Sequence, residues 1–181
     1  MNKPTVLLHA CCGPCSTACV ERLLPDYQIT LYYYNPNITD REEYLKRRDT
    51  LVQFLEDYGQ PIEFIEGDYD TNLWLDMTKE LKCEPEKGKR CDVCFSMRLA
   101  KTAEKAKELG FNYFTTTMSV SPHKNYDKIY ELGKSLENDD TRFLDIDFKK
   151  KNGFARSVEM SKEYGMYRQN FCGCEYAREA K

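Results

Sequence analysis

Short β-type runs alternate with helical stretches along most of the chain, and few architectures accept that order. Thr5 to His9, Ile29 to Tyr34, Pro61 to Ile65, Tyr113 to Thr117 and Phe143 to Ile146 are runs of four to six residues rich in aliphatic, aromatic and Thr side chains. Between them lie helical patterns over Ser16 to Leu24, Asp40 to Tyr58, Asp70 to Leu81, Cys94 to Leu109 and Tyr126 to Leu136, with Gly59 and Gly110 as stops. A strand that returns to its own sheet through a helix makes a right-handed crossover. The order therefore predicts an α/β fold: a parallel sheet with helices on both faces. At 181 residues, 41% hydrophobic and 31% charged, the chain suits one globular domain spanning 1–181. Glu84 to Arg90 and Phe148 to Gly153 read as charged loops within it.

Val6 to Leu8 is the longest apolar stretch near the start and is too short for a secretory or membrane segment, so the chain is expected to be cytoplasmic, with no membrane partner. A reducing compartment does not sustain a disulfide framework, so nine cysteines call for metal binding or thiol chemistry. The net charge of -3 gives no global pull on nucleic acid. Local basic patches remain at Lys149, Lys150, Lys151 and Arg156, and at Lys82, Lys87, Lys89 and Arg90, each equally readable as a solvated surface.

Seven of the nine cysteines fall in three groups: Cys11, Cys12 and Cys15; Cys91 and Cys94; Cys172 and Cys174. The first group follows the first strand, where reactive groups of such sheets collect. Gly13 and Pro14 suit a tight turn into a helix, placing Cys15 in the first turn, where free N–H groups and the helix dipole lower a thiol pKa. Cys11 and Cys12 are adjacent, and diverging side chains would send them to two neighbouring centres rather than one ion. Cys91 and Cys94 have the two-residue gap that brings two sulfurs to one metal or cluster. Arg98 lies one turn later, able to offset anionic sulfur or to grip phosphate. Gly173 relaxes the turn between Cys172 and Cys174, a pair suited to metal ligation or to a strained disulfide. Cys19 and Cys83 read as isolated thiols. Seven thiolates exceed one zinc site, which favours an iron-sulfur cluster with a second metal, or a cluster with a redox thiol pair.

These motifs resemble the epoxyqueuosine reductases of the QueH type. The resemblance is carried by His9-Ala-Cys-Cys-Gly-Pro-Cys15, by Cys91 and Cys94 followed by Arg98-Leu99, by Thr115-Thr-Thr with Ser119-Val-Ser-Pro-His-Lys-Asn125, and by Tyr167-Arg-Gln-Asn-Phe-Cys-Gly-Cys174. It implies a cobalamin-independent oxidoreductase that removes the epoxide oxygen of epoxyqueuosine at the tRNA wobble position, giving queuosine. It also implies a 4Fe-4S cluster, an additional iron, an unidentified electron donor and a Rossmann-like fold similar to the adenine-nucleotide hydrolase-like (HUP/PP-loop) group. Cys-Cys-Gly-Pro-Cys-Ser replaces that group's phosphate loop, so ATP is not expected.

On this reading Cys11, Cys12, Cys91, Cys94, Cys172 and Cys174 are ligands, with Cys15 a further ligand or redox thiol. His9, His123, Tyr126 and Asp127 are candidate proton donors, and His9 is equally readable as a packed strand-end residue. Arg98, Lys124, Asn125, Lys149, Lys150 and Arg168, with Lys151 and Arg156, are candidate tRNA contacts; Tyr126 or Phe171 could stack on an unpaired base. Two other functions fit the cysteines alone: a zinc-dependent RNA-binding protein without catalysis, and a metal-free thiol-disulfide oxidoreductase.

Overall fold

The computed structural model describes residues 3–179. Five strands run parallel in the order β3-β2-β1-β4-β5: β1 Thr5–His9, β2 Gln28–Tyr33, β3 Glu63–Glu66, β4 Tyr113–Thr116 and β5 Arg142–Phe143. The helices are α1 Gly13–Leu23, α2 Arg41–Tyr58, α3 Thr71–Thr78, α4 Lys89–Glu108, α5 Tyr126–Ser135, α6 Gly153–Glu163 and α7 Glu175–Glu179. Successive side chains of a strand point to opposite faces, and both faces are covered. Val6, Leu8, Leu31 and Tyr33 pack with Val20 of α1, Leu51 and Phe54 of α2 and Met160 of α6. Leu7, Tyr32 and Phe114 pack with Trp74 of α3, Leu99 and Ala106 of α4 and Ile129 of α5. The result is a Rossmann-like α/β sheet, as the alternation predicts.

The chain proceeds from β1 outward through β2 and β3, then returns to add β4 on the other side of β1. The carboxyl ends of β1 and β4, with His9 paired to Thr116, thus flank the point where the winding reverses. A crevice opens there between the loops that leave the two strands.

Three features depart from the sequence expectation. Helix α4 starts at Lys89, five residues before Cys94, because the Glu84 carboxylate accepts from the Lys89 N–H at 3.1 Å and caps the new end. Cys91 and Cys94 therefore share one rigid helix. Strand β5 is only Arg142–Phe143. Helix α6 follows the expected charged loop, in a stretch for which no element is expected: Asn152 enters it at φ 58°, and Gly153 lets it pass against Phe148, whose carbonyl oxygen would lie 1.7 Å from an added Cβ. Among the described residues, no helix is long and apolar enough to cross a membrane.

Candidate metal-thiolate site

The first cysteine group is shaped by the junction between β1 and α1. Cys12 precedes the helix in an extended conformation (φ -168°, ψ 166°), and Pro14 sits in the first turn. Thr117, at the start of the 3-10 turn Thr117–Val120 after β4, accepts from the Cys11 N–H at 3.1 Å and donates to the Cys11 sulfur at 3.3 Å. Ser16 donates to the Cys12 carbonyl at 2.7 Å. Held this way, Cys11, Cys12 and Cys15 bring their sulfurs within 4.8 Å of one another, with Cys11 and Cys12 at 3.9 Å. The expected divergence of the adjacent pair does not occur, because the change from strand to helix rotates both side chains to one side. Two sulfurs on one ion stand at most about 4.6 Å apart, so small adjustments let the triad hold a metal.

Crowding divides the protons unequally. Neighbouring Cys12 and Cys15 thiols, then Arg98 and Lys124, hold the Cys11 thiol well below its ordinary pKa despite burial. Cys12 is pushed up to about 12 by its contact with Cys11 and by burial. Cys15 is also raised, first by Cys11 and Cys12 and then by burial, so the depression expected from its helical position is overridden. One thiolate forms easily here; three need a bound cation.

The other groups approach from different elements. Cys94 is buried on α4, with the Arg98 Nη1 3.8 Å from its sulfur; burial raises its pKa. The Cys91 sulfur accepts from the Lys87 N–H at 3.3 Å. Lys124, in the loop after β4, places Nζ 3.9 Å from the Cys172 sulfur and is the main reason that thiol is lowered. Burial pushes Cys174 up to about 11. Burial opposes charge on both Arg98 and Lys124, but the surrounding cysteines outweigh it and raise both pKa values. All seven grouped cysteines line one cavity of about 880 Å3, together with Arg98, His123, Lys124, Asn125 and Arg168. Cys19 is buried and donates to the Cys15 carbonyl, Cys83 is exposed, and neither lines the cavity. All nine cysteines are free thiols.

The remaining site candidates are spread more widely. His9 is fully buried, its Nδ1 paired with Thr116 Oγ1 and its Nε2 with the Tyr34 carbonyl, both at 2.9 Å, and burial with Arg98 lowers its pKa to about 3. It is a neutral residue tying β1 to β4 and β2, away from the cavity lining. Tyr126 donates to Asp145 and is likewise absent from that lining, while burial and Asp145 raise its pKa. His123 is exposed at the cavity. Lys149 donates to the Lys124 carbonyl at 2.9 Å, Arg156 pairs with Glu21 and Glu159, and the Lys150 carbonyl accepts from Arg22. Arg168 donates to Ser161 Oγ at 2.8 Å. Arg98 is 2% exposed and donates to Asn35 Oδ1 at 2.7 Å, while Asn35 donates to the Ala10 carbonyl beside Cys11. Asn35 and Arg47 carry no sequence signal: one follows a tyrosine strand, the other looks like half of a surface pair with Glu43. The exposed Phe154 at the cavity was equally hidden in an unrecognised helix.

A Rossmann-like sheet with seven thiols around one cavity at its switch point, with the buried Arg98 and the half-buried Lys124 among them, defines a thiol-rich protein whose Cys11, Cys12 and Cys15 could hold a metal. Comparison with known sequences narrows the class. A model of the family described as epoxyqueuosine reductase QueH matches residues 6–180, and the chain belongs to that family of oxidoreductases. A protein of Streptococcus pyogenes named epoxyqueuosine reductase QueH is 45% identical over 180 residues, covering 97% of this chain and 71% of its relative. Relatives of the same name from Staphylococcus epidermidis and Thermotoga maritima are 41% and 34% identical; they cover 97% and 96% of this chain, and 77% and 90% of their own lengths are matched.

Proposed function

We propose that this chain reduces epoxyqueuosine in tRNA to queuosine. The observation that carries the reading is the convergence of seven cysteines on one cavity in a chain of this family. Removing the epoxide oxygen as water takes two electrons and two protons and leaves a carbon-carbon double bond. Such a reaction needs an electron source and an electrophile for the departing oxygen.

The donor set fits an iron-sulfur group. Sulfur is abundant, three sulfurs already lie within 4.8 Å, and Arg98 and Lys124 supply positive charge beside them. Cys11, Cys12, Cys91, Cys94, Cys172 and Cys174 would hold a 4Fe-4S cluster and part of the site for an additional iron, with Cys15 a further ligand or redox thiol. When bound, these groups supply single electrons and Lewis-acid polarisation of the epoxide oxygen. The protein's own side chains do the rest. Arg98 and Lys124 offset the charge of the thiolates and favour their ionised form. His123, exposed at the cavity, is the better placed proton donor, whereas His9 has both ring nitrogens engaged.

Asn125 and Arg168 at the cavity, and Lys150 outside it, would meet the tRNA; Lys149 acts by bracing the Lys124 backbone. Residues 1–181 serve as one domain, in the cytoplasm, with reducing equivalents from an external electron carrier. The test uses anaerobic protein reconstituted with iron and sulfide, a chemical reductant and tRNA bearing epoxyqueuosine, with the nucleosides then identified by mass. Conversion to the product lacking one oxygen is expected. Unchanged substrate under conditions in which a verified relative turns over sinks the reading, as does purified active protein containing zinc without iron or sulfide.

A further inference from the structure

The segment from residue 167 to residue 174 is neither helix nor strand, yet it delivers Cys172 and Cys174 to the cavity. Its backbone needs another anchor. Arg47 of α2 donates from Nη1 to the Cys172 carbonyl and from Nη2 to the Phe171 carbonyl, each at 3.1 Å, and its guanidinium lies 5.0 Å from the Phe171 ring centre. Glu43, one turn earlier, accepts from Arg47 Nε at 2.6 Å and from the Tyr167 hydroxyl at 3.0 Å. The Arg47 side chain is 2% exposed. Gly173 completes the fit: its φ is 98°, and an added Cβ would stand 2.8 Å from Ile38 and 3.1 Å from Arg47 Nη1.

We propose that Arg47 is a positioning residue, which with Glu43 and Tyr167 clamps the cysteine-bearing segment so that Cys172 faces Lys124 across the cavity. A guanidinium is suited to this because its planar fork spreads its donors over two carbonyls and a carboxylate, a geometry that the single nitrogen of an ammonium does not reproduce. Arg47 also borders the cavity, but Nε, Nη1 and Nη2 are each engaged inside the protein, which disfavours the competing role of a direct contact with substrate phosphate. The clamp deepens the proposed function, resting on the reading that Cys172 and Cys174 are ligands. Its test separates the two.

In metal-free protein, iodoacetamide labelling of Cys172 is followed by mass spectrometry, with exposed Cys83 as internal reference. Arg47→Met should raise the Cys172 rate at least about tenfold, the change expected from losing one charge-assisted hydrogen bond. Arg47→Lys should be intermediate, and Tyr167→Phe should give a smaller rise without threatening the fold. Leu51→Ala, a core truncation on the same helix, should lower the melting temperature and leave the Cys172-to-Cys83 ratio unchanged. A wild-type ratio in both Arg47→Met and Tyr167→Phe overturns the clamp, as does an equal rise in Leu51→Ala. An increase in KM for tRNA with wild-type labelling also overturns it, in favour of substrate contact. Raised labelling upholds the clamp whatever the iron content; the ligand reading fails separately if Cys172→Ser and Cys174→Ser leave the iron content of reconstituted protein unchanged.

Discussion

Replacing Arg98 with Met tests how a buried cation supports a sulfur-rich site. The side chains are similar in length, so the change removes charge and hydrogen bonds with little loss of volume. Arg98 Nη2 is 2.7 Å from Asn35 Oδ1, and Asn35 is fully buried, so Arg98→Met leaves that oxygen without its partner. An orphaned buried acceptor costs about 1–3 kcal/mol. The second loss depends on charge at sulfur: at the 3.8 Å separation of Nη1 and Cys94 Sγ, a full thiolate would attract the guanidinium by about 4 kcal/mol at an effective dielectric of about 20. Desolvation of the buried guanidinium offsets much of that attraction. In metal-free protein at neutral pH the raised pKa keeps Cys94 protonated, so at that contact the hydrogen-bond loss dominates, while the charge still favours the Cys11 and Cys172 thiolates. For a chain of this size, about 1–3 kcal/mol lowers the melting temperature by about 2–12 °C. The assay is thermal unfolding of anaerobic protein, metal-free and iron-loaded. Arg98→Met should lower both midpoints and lower the iron-loaded one further, while Arg98→Lys should recover part of the second difference. An iron-loaded midpoint that falls no more than the metal-free one would refute a charge-compensating role.

Two further outcomes follow from the geometry. Gly153→Ala places a Cβ 1.7 Å from the Phe148 carbonyl oxygen, so the entry to α6 must move; a cost of at least about 3 kcal/mol, the upper end for overpacking, should lower the melting temperature by about 6–12 °C, and a change under about 2 °C would show that the turn yields freely. In metal-free protein Cys12 and Cys174 have folded pKa values of about 12 and about 11 against an ordinary value of 9.0, so the unfolded chain releases those protons first and stability falls as pH rises from about 9 to about 12. Denaturant titrations across that range should show the midpoint falling, less steeply in Cys12→Ser, and a flat profile would contradict the burial of these thiols.

The part of the fold legible in the sequence is the part governed by periodic burial. Strands β1, β2 and β4 and helices α2, α4 and α5 announce themselves because their apolar residues repeat at the spacing of a covered face. Helix α6 does not, since its buried side includes Gly153, Ser157 and Ser161, whose small or polar character hides the stripe. The start of α4 is obscured because its cap is the Glu84 side chain rather than a residue at the cap position. In the site, cysteine spacing reveals which residues carry chemistry, but not what surrounds them. Arg47 reads as an ordinary surface arginine and Arg98 as a partner for sulfur or phosphate, and only the packing of α2 and α4 turns both inward and sets Arg98 against Asn35. His9 reads equally well as donor or packing residue until the register sets Thr116 beside it.

The three cysteine groups ride on supports of different stiffness, and that difference bears on how such a site assembles. Cys11, Cys12 and Cys15 sit at a strand-to-helix junction braced by Thr117 and Ser16, so much of their ordering entropy is lost when the sheet forms. Cys91 and Cys94 share a helix, which fixes their relative position. Cys172 and Cys174 lie on irregular chain that depends on side-chain clamps from α2 and on Arg90 over the Tyr176 ring, with Tyr176 stacked against Trp74. On the proposed ligand set, the first group offers three sulfurs within 4.8 Å before any metal arrives, and the last group would close over them. Lys124 suits that final step: its loop comes from β4, beside the first group, and its ammonium draws the Cys172 thiolate toward the cavity. Loss of metal should then loosen the segment from residue 167 to residue 174 before the sheet, and hydrogen exchange would record that order directly.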